Sequence, residues 1–264
     1  MRAYVKYFNL SVQSLMQFRA NFIISFFTGF LFDYVKVAIW YAIMLFQIDR
    51  LHPSMIEQTM KYMILASSFS LLFKAFGQGS ISGKIISGSL ERDMLYPVSV
   101  IGLNFASGLG SALVEFIRTS CISFLILTLL YSIKWSFNLI PFVGMIVLLI
   151  LGLIIQFLML MVIELLSFWT VETRSIHSLW DAVYKFFGGF LMPLWFFPEK
   201  FQGIMDYLPF KNIVNQPVVC FIANYNLTKI VNAASVSMAW IVFLFFIVSM
   251  LWKFGTRRLM VNGG

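Results

Sequence analysis

Charge is what this sequence of 264 residues has least of: Asp, Glu, Lys and Arg together make up 11% of it, against roughly 25% in an ordinary soluble domain. With 60% hydrophobic residues and a mean hydropathy of +0.88, there is too little polar surface to cover a water-facing particle of this size. A soluble globular enzyme is excluded, and the solvent for most of the chain is lipid. Cysteine is scarce as well. Cys121 lies in an apolar run and Cys220 in a long connection, too few and too differently placed for a disulfide framework or a zinc site. The two histidines, His52 and His177, are far apart and belong to no His-Glu-x-x-His pattern, so no metal centre is expected. Serine nucleophile elbows and carboxylate pairs at helical spacing on an inward face are missing too. The first twenty or so residues mix Arg2, Lys6 and Arg19 with apolar positions and build no h-region, so no cleavable signal peptide is expected.

A nucleotide loop is also lacking. The stretch Gly77-Gln78-Gly79-Ser80-Ile81-Ser82-Gly83-Lys84 is glycine-rich. A P-loop, however, needs a glycine five before its Gly-Lys pair and a hydroxyl residue after the lysine, and Gln78 and Ile85 stand there. Ser82 occupies the third glycine position of a dinucleotide fingerprint, and no strand precedes it. No ATP site and no cofactor are expected on this chain.

What the sequence has is long apolar runs. A membrane-crossing helix needs about 20 mostly apolar residues, and six stretches qualify: 22–46, 62–76, 103–131, 139–168, 178–197 and 233–252. The second is short and the fifth is interrupted by Pro193. The expected fold is therefore an all-α polytopic membrane protein with six transmembrane helices. Placing the N-terminus inside puts Arg2, Lys6, Arg19, Lys74, Lys84, Arg92, Arg174, Lys253, Arg257 and Arg258 on the inner side. The outer side then holds Arg50, Lys61, Lys134, Lys200, Lys211 and Lys229. Ten cations against six predict both termini in the cytoplasm. The net charge of +8 thus reports membrane topology, and no nucleic-acid partner is expected.

Residues 2–18 place Tyr4, Phe8, Val12, Leu15 and Met16 near one side of a helix and Lys6, Asn9 and Gln13 near the other, which predicts an amphipathic helix lying in the interface. The connection 198–232 carries Pro209, Pro217 and two apolar pieces, 210–214 and 218–223, each too short to span. Partial dipping into the outer leaflet is expected there. Charges inside spans are costly and are candidates for function by default. Asp33 and Lys36 are three apart, as are Glu115 and Arg118, so each pair can neutralise itself along one helix face. Glu164, Asp181 and Lys185 fall near span ends, where snorkelling lowers the cost. Ser107, Gly108, Gly110, Ser111 and Ala112, with Gly188 and Gly189 in the fifth span, mark packing seams where helices approach closely.

The segment between the second and third spans reads Ser87-Gly88-Ser89-Leu90-Glu91-Arg92-Asp93-Met94-Leu95-Tyr96-Pro97. It resembles the S-G-x-L-(D/E)-x-x-L-x-x-P stretch of ABC-2 type exporter permeases, in particular the subgroup of roughly 260-residue subunits. Phe168-Trp169, Pro193, Phe197-Pro198, Leu208-Pro209-Phe210 and Pro217 follow in that subgroup's order. Tyr96 stands where many relatives have arginine. The resemblance implies an amphipathic connecting helix over residues 1–21 and a transmembrane domain over 22–264, with a coupling helix at 83–97 and an outer re-entrant hairpin at 198–232. It implies that Ser87, Gly88, Leu90, Glu91, Arg92, Asp93, Leu95 and Pro97 seat on a separate ABC ATPase subunit, which holds ATP and magnesium. It further implies that Pro198, Pro209, Phe210 and Pro217 shape the outer gate. The expected assembly is two permeases, identical or paralogous, with two ATPases in a bacterial plasma membrane. They would export an amphiphilic drug, peptide or lipid-like substrate. A reading from another class stays open at this point, an ATP-independent secondary transporter or a membrane scaffold. A proton-coupled carrier needs an unpaired carboxylate near the midplane, whereas Asp33 and Glu115 each have a cation three residues on.

Overall fold

The computed structural model describes residues 2–17, 19–46, 52–76, 81–170 and 174–262. Among them it places twelve α-helices and no strand. In chain order these are α1 (Arg2–Gln17), α2 (Arg19–Phe46), α3 (Pro53–Phe76), α4 (Ile81–Ile86), α5 (Leu90–Met94), α6 (Val100–Glu115), α7 (Cys121–Leu130), α8 (Leu139–Leu165), α9 (Arg174–Phe187), α10 (Glu199–Asp206), α11 (Asn215–Ile222) and α12 (Leu227–Asn262). Of the glycine-rich stretch, Gly77, Gln78, Gly79 and Ser80 lie outside the described residues.

Four helical rods are long and apolar enough to cross a bilayer: Ile23–Phe46, Val100–Leu130, Leu139–Phe168 and Leu227–Arg258. The second of these runs from α6 through a π turn, Phe116–Ser120, into α7. The other two expected spans differ from their reading. α3 begins at Pro53, well before Tyr62, because proline is preorganised for a first helical position and Glu57 pairs with Lys61 at 2.6 Å along the added turns. It is about 36 Å long, though less apolar. α9 stops at Phe187, after 14 residues or about 21 Å, ten residues before the expected end at Phe197.

Glycine ends α9, and Pro193 does not. Gly189 takes a left-handed φ of +85°, and the Phe190 N–H reaches back to the Lys185 carbonyl at 3.1 Å while the Gly188 N–H reaches Tyr184 at 2.8 Å. That six-to-one bond around a left-handed residue is the Schellman stop. The irregular stretch that follows meets a strict requirement of a membrane bundle, that non-helical backbone find partners inside the protein. The Tyr62 hydroxyl donates to the Gly189 carbonyl at 2.8 Å, the Trp40 indole to Leu191 at 2.9 Å, and the Asn215 N–H to Gly188 at 3.2 Å. Ring contacts of Tyr62 with Trp195 at 5.0 Å and Trp40 with Phe196 at 5.2 Å clamp the same stretch.

α8 is the central rod, with α12, α11 and α3 against it. Two glycines let neighbours approach. A Cβ on Gly144 would meet Ile230 Cδ1 at 2.5 Å, and one on Gly152 would meet the Ile213 carbonyl oxygen at 2.5 Å. α12 is 36 residues long, about 54 Å, and the Phe168 ring lies against its Gly255. α1 is the expected amphipathic helix, and Tyr4, Phe8, Val12 and Leu15 form its half-buried side, with Lys6, Asn9 and Gln13 exposed. It packs on α6, where the Phe8 carbonyl closes on Gly110 and Ser11 bonds Ser111 at 2.7 Å.

Candidate functional site

Two regions concentrate the polar chemistry, the α4–α5 segment at one end of the bundle and a charge cluster among the spans. The α4–α5 segment was expected as one helix over 83–97 and is two short ones. Gly88 separates them with φ +71°, a conformation that side chains resist, so the chain turns back at Ser87-Gly88-Ser89, whose two serine hydroxyls bond at 2.9 Å. Lys84 on α4 meets Asp93 on α5 at 2.6 Å and closes the turn. Leu90 is fully buried and anchors the segment in the core. Asp93 is likewise engaged within the segment. Glu91, Arg92, Leu95 and Pro97 are exposed. Leu95 (84%) and Tyr96 (66%) stand furthest out, beside Met94, an apolar tip rimmed by charge of the kind that marks a protein contact.

Between the spans, Asp33 and Lys36 on α2 pair at 3.3 Å, as their spacing predicts. The structure adds partners from two other helices. Ser123 on α7 donates to the second Asp33 oxygen at 3.0 Å, and Lys36 donates to Ser70 on α3 at 3.3 Å. The buried Asp33 carboxylate therefore ties three helices. Glu115 and Arg118 also pair, at the entry to the π turn, and Thr119 donates to Glu115 at 3.1 Å. π turns inside α-helices are frequent at functional sites. Asp181 and Lys185 pair along α9. Serine positions 70 and 123 carry no spacing signal that links them to Asp33, so sequence reasoning missed them.

The expected outer segment folds back into the bundle. Pro198 opens α10, Pro209 starts a 3-10 turn over Pro209–Asn212, and Pro217 is buried in the first turn of α11. Phe210 packs on Trp180 and Phe187, at 5.7 Å from each ring. Asn212 and Ile213 lie against Gly152, which stands about 20 Å along α8 from its first residue. Cys220 is buried and Cys121 is exposed, each a free thiol.

Glu164 has a larger place than its position near a span end suggested. It is buried, accepts the Ser82 N–H of α4 at 2.5 Å, and lies 3.4 Å from His177 of α9.

The sequence profile of the ABC-2 family transporter protein matches residues 53–263, most of the chain. No curated protein matches the sequence.

Proposed function

Since the chain belongs to the family of ABC-2 transporter proteins, we propose that it is the permease subunit of an exporter driven by ATP hydrolysis on separate ATPase chains. As an integral membrane protein of that family, it would work in a bacterial plasma membrane with both termini cytoplasmic. A second permease, identical or paralogous, completes the path, and ATP and magnesium belong to the ATPases. The observation that supports this reading most is the α4–α5 segment, a short structured turn whose buried Leu90 and Lys84–Asp93 tie hold an exposed apolar and charged tip. ATP-driven closure of two ATPases beneath such tips would displace them and change access between the permeases. The substrate class that fits the aromatic-rich, charge-poor bundle is an amphiphile, with the folded-back segment around Pro198, Pro209, Phe210 and Pro217 as the outer gate.

Two measurements test the reading. Co-expression with a candidate ABC ATPase subunit should give a complex that survives purification, and the combined change Glu91→Ala, Arg92→Ala and Leu95→Ala should lower the ATPase recovered by about tenfold or more, as loss of central interface residues does. Undiminished recovery would show that the ATPase docks elsewhere. Topology is tested with a membrane-impermeant thiol reagent. Ser87→Cys should label only after permeabilisation and Gly203→Cys in intact cells, and the reverse pattern would invert the bundle.

A further inference from the structure

Glu164 is only 2% exposed, and it sits in the last turn of α8, where a leucine would bury as well at no electrostatic cost. A carboxylate there must be desolvated, a penalty recovered only through well-placed partners. Among the described residues it has partners on two different elements. Its Oε2 accepts the backbone N–H of Ser82 at 2.5 Å, and its Oε1 lies 3.4 Å from Nε2 of His177. Just beyond it, the Ser167 hydroxyl donates to the Glu164 carbonyl at 2.6 Å, fixing the tight turn over Leu166–Phe168 on which α4 packs. Hydrogen bonds to an ionised acceptor are short, directional and roughly twice as strong as neutral ones, so this carboxylate holds α4 in one place and orientation.

The connections on either side give that placement a use. Lys84 and Asp93 bind α4 to α5, which carries the exposed tip. His177 lies on α9, whose far end is the Gly188–Gly189 break and the folded-back outer segment. We propose that Glu164 is a positioning residue that couples the α4–α5 segment to α8 and α9, so that displacement of the exposed tip is transmitted to the outer segment. This inference rests on the permease reading above and adds the residue through which the push would travel. A bond to a backbone N–H suits the task, because it resists sliding of α4 along α8 in a way that apolar contact does not.

The test uses the full chain with its ATPase partner in proteoliposomes, with Gly203→Cys in α10 as the reporter. A membrane-impermeant maleimide reads its labelling rate with and without ATP plus vanadate, and ATPase recovered with the permease reports assembly. In the parent complex the rate changes on trapping. Glu164→Ala should abolish that change in assembled complex. Hydrogen exchange of the peptide covering Ile81–Ile86 should quicken by about tenfold in the same variant, as loss of one hydrogen bond to a charged acceptor predicts. Glu164→Gln keeps an acceptor for the Ser82 N–H and should fall between the two. His177→Ala, at a partly exposed position, keeps the question answerable if Glu164→Ala does not assemble, and it should weaken the response without quickening exchange at Ser82. A full response in Glu164→Ala, or unaltered exchange over Ile81–Ile86, overturns the inference while leaving the permease reading intact. No response in the parent removes the permease reading and this inference with it.

Discussion

Gly189→Ala should destabilise the protein by roughly 3 kcal/mol, the sum of a left-handed residue that is no longer glycine and a buried hydrogen bond that cannot form. Both costs arise at one atom. The backbone stands at φ +85°, and the new Cβ would come within 2.2 Å of the Tyr62 hydroxyl, the group that satisfies the Gly189 carbonyl. Tyr62 has nowhere to go, since it is fully buried with Trp195 edge-on to its ring. Thermal unfolding in detergent reads the loss, and a double-mutant cycle assigns its cause. Tyr62→Phe alone should cost about 1 to 2 kcal/mol by orphaning the Gly189 carbonyl. Adding Gly189→Ala to it should then cost only about 1 kcal/mol more, because the clash has gone with the hydroxyl. Strict additivity of the two changes would mean that the close approach is not what glycine is there to permit.

Asp33→Ala is expected to cost about as much, roughly 3 kcal/mol, because it leaves Lys36 without its counter-charge among apolar helices. The loss also falls on Ser123 and Ser70, which reach Asp33 and Lys36 from α7 and α3. At a few degrees per kcal/mol for a chain of this size, the midpoint should drop by on the order of 10 °C. Removing both charges, with Asp33→Ala and Lys36→Met together, should recover most of the loss, since a buried pair replaced by apolar groups is often neutral. A double variant as unstable as Asp33→Ala alone would show that the hydrogen bonds made with Ser123 and Ser70, and not the ion pair, hold the three helices.

Much of the architecture was legible because lipid leaves so few options. The rod over Leu139–Phe168 coincides with its sequence reading, since 30 nearly uncharged residues bounded by Asn138 and Trp169 can do little else in a bilayer. The sided pattern of Tyr4, Phe8, Val12 and Leu15 likewise located the face that α1 buries. The break in the fifth segment was misplaced. Proline is the stronger punctuator in sequence, but Pro193 lies where the helix has already ended, and the stop depends on the handedness of Gly189, which the sequence showed only as a small residue at a seam. The α4–α5 turn was concealed in the same way by Gly88. Contacts across long separations were not legible at all. Asp33 with Ser123, and Glu164 with Ser82, join residues from different helices, and nothing local to a serine or a backbone N–H announces a distant carboxylate. A family pattern marked Leu90, Glu91 and Asp93 alike, and the structure separates them: Leu90 is buried in the core, Asp93 pairs with Lys84 and Glu91 is exposed.

The length of α12 carries a mechanical consequence. A helix of about 54 Å crossing a hydrocarbon layer of about 30 Å leaves on the order of 20 Å of unbroken rod in the headgroups and water. Such a rod is a lever with its fulcrum in the membrane, and a tilt of about 10° swings each end through roughly 5 Å. Because Phe168, in the turn just past α8, packs on Gly255 near one end of α12, and Ile230 is seated on Gly144 of α8 near the other, α12 meets the Leu139–Phe168 rod at two well-separated points. A lean of one rod is therefore expected to turn the other, so that the two glycines would serve leverage as well as adhesion.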